Sequence, residues 1–115
     1  MAAKQPRDAG GSPVPVLRFR SGAAQKLTSV TSSAAQRTSA FTTGTQVITI
    51  TASAAMYFAT GASDVTATSS MHYLAAGVPM DLSLGADIAS MVDYHTHASF
   101  IAVSDTGTVY ISERE

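Results

Sequence analysis

Short runs in which apolar or β-branched side chains alternate with small polar ones recur along this chain, and turn residues part them at intervals of about eight to twelve residues. No segment keeps a helical period for more than two turns. A chain built this way cannot cover a core with helices and must pair strands. In TQVITITASAAMYFATG (45–61), Ile48 and Ile50 point one way and Val47, Thr49 and Thr51 the other, and TASA marks a bend between two strands. GASDVTATSS (61–70) reads as a loop. MHYLAAG (71–77) and VPMDLSLG (78–85) read as strands, with Met80, Leu82 and Leu84 in alternation.

Near the end, FIAVS and TVYIS flank DTG, which predicts a hairpin with a type I turn at Asp105–Thr106 and Gly107 in a left-handed bulge position. In that hairpin Ile101, Val103, Val109 and Ile111 share the inner face, and Phe100, Ala102, Thr108 and Tyr110 the other. VLRFR (16–20) alternates as a short strand, with Leu17 and Phe19 opposite Val16, Arg18 and Arg20. From Gln25 to Phe41 the chain is small and polar, anchored by Leu27, Val30 and Phe41. Seven or eight strands in 115 residues predict a single small antiparallel β-sandwich or barrel over 16–115. Residues 1–15, with Gly10, Gly11, Pro13 and Pro15, read as an extended, flexible N-terminal arm.

Composition agrees with a thin sheet core. Apolar residues make up 45% of the chain, with alanine prominent and no tryptophan, while charged residues are only 13%. Serine and threonine supply about a quarter, which suits half-buried pleated surfaces. The absence of cysteine excludes disulfides, zinc–thiolate centres and thiol catalysis. No apolar run approaches membrane-spanning length, so no membrane partner is expected, and synthesis in the cytoplasm is the expectation.

The net charge of −1 conceals a division. Lys4, Arg7, Arg18, Arg20, Lys26 and Arg37 give the first 37 residues a charge of about +5, and the remainder carries about −6. Such a split suggests a basic segment that meets an acidic surface, on another copy or on another protein. Arg7, Arg18, Arg20 and Arg37 are the candidate partner-binding residues. The basic residues are sparse and only Phe19 lies among them, so nucleic acid is not the expected partner.

DYHTHASF (93–100) holds two of the three histidines. On a strand, His95 and His97 would share a side and could face one metal ion. Two ligands do not make a catalytic zinc or a facial-triad iron, and the glutamate and later histidine of a cupin pattern are missing after His97. Asp93, which shares the parity of the histidines, and His72, on a distant segment, could complete a site, and a threefold axis could multiply the nitrogens instead. Polar surface or interface histidines are the preferred reading, with His95 and His97 the only metal candidates and no cofactor expected. The acids are scattered, with Glu113 and Glu115 expected to be exposed, and no nucleophile elbow, Walker loop or dinucleotide fingerprint occurs, so the chain is not read as an enzyme.

Val47–Ala52, Met56–Gly61, Ala67–Ser70, Tyr73–Pro79 and Gly107–Glu113 form a succession that resembles small structural proteins encoded among the head genes of tailed bacteriophages. LAAG stands where that group has a proline-containing turn, and the first 40 residues lie outside the resemblance. The resemblance implies a virion component: a decoration, or cement, protein that binds and stabilises the outer surface of the capsid, as a homotrimer and with the major capsid protein as partner. A neck, tail or head-fibre subunit is the alternative within the same biology, and a small cupin-like metal enzyme the alternative outside it.

Overall fold

The computed structural model describes residues 18–85 and 94–115. Eight strands are formed: β1 (Phe19–Val30), β2 (Gln36–Arg37), β3 (Val47–Ala52), β4 (Met56–Gly61), β5 (His72–Leu74), β6 (Met80–Ser83), β7 (His97–Ala102) and β8 (Gly107–Arg114). They make two antiparallel four-stranded sheets, ordered β1-β8-β3-β6 and β2-β7-β4-β5, packed face to face as a small all-β sandwich. The expected arm (1–15), Arg7, the start of VLRFR and Asp93 lie outside the described residues.

Alternation decides which side chains enter the space between the sheets. Ile48, Ile50 and Ala52 of β3 and Val109 and Ile111 of β8 come from one sheet, and Met56 and Phe58 of β4, Leu74 of β5 and Ala98, Phe100 and Ala102 of β7 from the other. Val30, Phe41 and Leu84 close the ends. Among the described strands six of the steps from one strand to the next change sheet, so β4 and β5 are the only consecutive ones that pair with each other.

That topology overturns the hairpin expected at DTG. β7 pairs with β4 and β2, whereas β8 pairs with β1 and β3. Residues 103–106 therefore cross between sheets, held by Val103 N–H donating to the Ala55 carbonyl at 3.1 Å. The face assignment holds for β8 but is inverted for β7, where Phe100 and Ala102 are buried and Val103 is exposed. Gly107 is not left-handed. It is small because a Cβ there would lie 2.8 Å from the Ala54 Cβ and 3.0 Å from the Ala54 nitrogen, where the two crossings pass each other.

β1 differs most from its expectation. It runs for 12 residues through a stretch with little apolar alternation, and Phe19 is exposed rather than buried. Its pairing with β8 slips twice, between Phe19 and Ala24 and between Leu27 and Val30. Gly22 (φ 74°) and Ser29 (φ 54°) take the left-handed backbone at these two irregularities. TASA, by contrast, bends as expected, with Ser53 N–H donating to the Thr108 carbonyl and the Ser53 hydroxyl accepting from Thr108 N–H.

Candidate functional site

Three places in the molecule gather chemically distinctive side chains. The first is an open cleft of about 710 Å³ between the sheet edges at β5 and β6, lined mostly by apolar groups including Phe58, Met71, Met80 and Leu82. His72 and His95 both border it, and His97 does not. His95 precedes β7, and its Nδ1 lies 2.7 Å from Thr60 Oγ1 on β4. His97 begins β7, with its Nδ1 2.7 Å from Thr96 Oγ1. The two histidines are therefore not a pair on one strand, because β7 starts only at the second. His72 packs its ring 5.7 Å from the Phe58 ring. Among the described residues no group of three or more His, Cys, Asp or Glu side chains comes together.

The second place is the charged end of β1 and β8. Arg18 and Glu115 exchange both backbone hydrogen bonds, and the Arg18 Nε donates to Glu115 Oε1 at 3.0 Å. The Arg20 Nη1 lies 3.3 Å from Glu115 Oε2, and its Nε 3.9 Å from Glu113 Oε1. Glu113 was expected to be exposed and is instead 4% exposed. As an inward-facing position of β8 it meets the loop ahead of β3, accepting from Thr42 N–H at 3.0 Å and from the Thr45 hydroxyl at 2.5 Å. The Tyr94 hydroxyl in turn donates to the Thr45 carbonyl at 2.5 Å. The basic early segment and the acidic late one thus meet inside a single chain. Arg37, on β2, donates to the Ser63 carbonyl. Of the candidate partner-binding arginines, Arg18 keeps a largely exposed side chain, Arg20 is mostly covered, and Arg7 lies outside the described residues.

On the same sheet Asp81 of β6 accepts from the Thr49 hydroxyl of β3 at 2.5 Å and from the Arg114 guanidinium of β8 at 3.2 and 3.3 Å. The Thr49 hydrogen bond, followed at lesser weight by Arg114, holds the Asp81 carboxyl below its ordinary 3.8 against the opposing effect of desolvation. Arg114 also lies over the Phe19 ring, 5.1 Å from its centre, which accounts for that ring's place on the outside of the sheet.

The third place is the outer side of the other sheet. Tyr73, Tyr57 and Ile101 are register partners across β5, β4 and β7 and so form one row. The tyrosine rings meet edge to face, 6.2 Å apart at 66°. The next row, Ala59 and Ser99, is covered by the 62–71 loop, whose Ala67 N–H donates to the Ser99 hydroxyl at 2.9 Å. Sequence reading did not find the row. The row depends on which strands are neighbours, and only the alternation within each strand was available to signal it.

No known family, curated protein or solved structure matches this chain. The geometry defines a small antiparallel β-sandwich with one sheet braced by ion pairs and the other carrying a partly aromatic outer row together with the exposed Arg37 of β2.

Proposed function

We propose that this chain is a structural protein of the tailed-bacteriophage head, a decoration protein that binds the outer surface of the capsid as a homotrimer and contacts the major capsid protein. The observation that carries this reading is that its distinctive surfaces are faces rather than an enclosed pocket of converging reactive groups. One sheet pairs Asp81 with Arg114 on its outer face and gathers Arg18, Arg20, Glu113 and Glu115 in ion pairs at its margin, and the other presents Tyr57, Tyr73 and Ile101. Faces of this kind suit assembly, where flat contact and rigid support matter more than a reacting centre.

The resemblance adds a second support. Its pieces Val47–Ala52 and Met56–Gly61 coincide with β3 and β4, and Gly107–Glu113 lies within β8. These strands and the loops between them build the centres of both sheets, so the similar pieces form the scaffold rather than scattered surface patches. In this role Arg18 and Arg37, both exposed, are basic groups available to an acidic shell surface, while Arg20 is mostly covered and braces β1 against Glu115.

The test is the copy number of this protein in purified particles, by quantitative mass spectrometry against the major shell protein. Hundreds of copies per particle are expected. About a dozen would move the protein to a neck, tail or fibre position, and absence from the particle would end the virion reading.

A further inference from the structure

The two lateral sides of the sandwich are finished differently. On one, glutamines lace the edge strands together. Gln36 donates to the Thr28 and Ser29 carbonyls at 2.9 and 3.1 Å, and Gln25 donates to the Ser39 carbonyl and accepts from Ser39 N–H. On the other, β5 and β6 part to leave the cleft of about 710 Å³. Register sets which side chains meet there. Ala52 and Met56 flank the 53–55 bend, so Ile50 on β3 and Phe58 on β4 lie at one depth in from it. Met80 is the partner of Ile50 and His72 the partner of Phe58, and cross-strand partners point to the same side of their sheet. Both therefore turn inward from opposite edges of the cleft at the same depth. The next inward residue of β4, Thr60, holds His95 at its hydroxyl, and His95 N–H donates to the Leu84 carbonyl just beyond β6 at 2.7 Å. Met71 stands at the exposed rim beside His72.

We infer that this cleft is a binding site for a soft, singly charged metal ion, Cu(I), held by the His95 and His72 imidazoles and the Met80 thioether, with Met71 as a further donor at the rim. Thioethers select soft ions, and imidazole serves copper as well. The tautomer of His95 that donates Nδ1–H to the Thr60 hydroxyl leaves the Nε2 lone pair for an ion, and an oxygen partner of this kind is what orients a metal-binding histidine. Among the described residues no carboxylate lines the cleft. Charge therefore selects the ion. A divalent cation set among neutral donors and the apolar Phe58 and Leu82 side chains would lose its hydration without compensating charge, and a monovalent one bears a much smaller cost. Methionine side chains are unbranched and flexible, so they can close on a small ion without moving the strands. The His-x-His pattern did not signal this arrangement, because the imidazole that joins His95 comes from β5 and the other donors are thioethers. The inference is independent of the capsid reading, since an ion held in an open cleft requires neither a reaction nor a second chain.

Anaerobic titration of the full chain with Cu(I), in competition with a chromophoric Cu(I) chelator of known affinity, tests it. Uptake of about one ion per chain is expected, with a dissociation constant below about 1 μM and much weaker binding of Zn(II). Ag(I), the redox-inert counterpart, should shift the Met80 methyl and the His72 and His95 ring resonances in NMR spectra and leave the buried Met56 methyl unmoved. Met80→Leu removes the sulfur at nearly constant volume, and His72→Ala changes an exposed position. Each should weaken binding by about tenfold or more, and His97→Ala, outside the cleft, should leave it unchanged. Circular dichroism checks the fold of each variant, and should Met80→Leu lose it, His72→Ala is read in its place. A chain that cannot compete for Cu(I) overturns the assignment, as does wild-type affinity in a folded His72→Ala or Met80→Leu protein. Silver shifts confined to methionines outside the cleft, or zinc bound as tightly as copper, overturn it equally.

Discussion

Glu113 illustrates how one residue can serve the fold in a way its type conceals. Two donors converge on its carboxylate, the Thr42 amide and the Thr45 hydroxyl, and the Arg20 guanidinium faces it as an ion pair at 3.9 Å. Removing the acceptor would leave these groups covered and unanswered, which is costlier than the pair itself is stabilising. Glu113→Ala is therefore expected to lower unfolding free energy by about 3 kcal/mol, and Glu113→Gln, which keeps an acceptor but loses the charge, by about 1–2 kcal/mol. Urea denaturation followed by circular dichroism measures both. Equal losses for the two variants would show that a neutral acceptor contributes nothing and that the charge facing Arg20 carries the whole effect. Neither the burial nor the partners could be read from the sequence. A glutamate three residues from the end of SERE has no local signal for a threonine 68 positions away.

Strands with one clean buried side were legible in the sequence, and those without one were not. β3 and β8 alternate because one side of each faces Met56, Phe58, Leu74 and Phe100 across the sandwich, so their two sides were separated correctly. β7 misled because two of its inward positions are alanines and its β-branched Ile101 faces out, which inverts the simplest parity. DTG misled for another reason, since local turn chemistry does not say whether the flanking strands pair or part. β1 was lost because left-handed backbone at Gly22 and Ser29 breaks the period that marks a strand. The histidines looked like a strand pair, and fell on either side of the point where β7 begins. At this scale the tie between β6, β3 and β8 is open to test. A carboxyl with a depressed folded-state pKa contributes stability that is whole above its unfolded value and lost as pH falls through the folded one. The melting-temperature advantage of wild type over Asp81→Asn should be full near neutral pH and should shrink once pH drops below 3.8. An advantage that stayed constant into acid would separate Asp81 from this tie.

For the whole molecule the governing fact is that nearly every pairing joins segments remote in sequence. β1 pairs with β8, and β8 also supplies the partner for β3. Folding must close long loops before any sheet is rewarded, so refolding is expected on the millisecond-to-second scale of sandwiches rather than in microseconds. The same arrangement makes the final segment indispensable. Removing residues 109–115 should leave a chain without a cooperative thermal transition, because it strips the strand between β1 and β3. A sharp melt in that truncated chain, followed by circular dichroism, would contradict the dependence of one whole sheet on β8.

The exchange of backbone hydrogen bonds between Arg18 and Glu115 also sets a direction for anything attached to the molecule. A cargo fused beyond Glu115 would leave from the margin of the ion-paired sheet. The aromatic row lies on the outer side of the opposite sheet. A payload carried beyond Glu115 is thereby kept on the other side of the sandwich from that row.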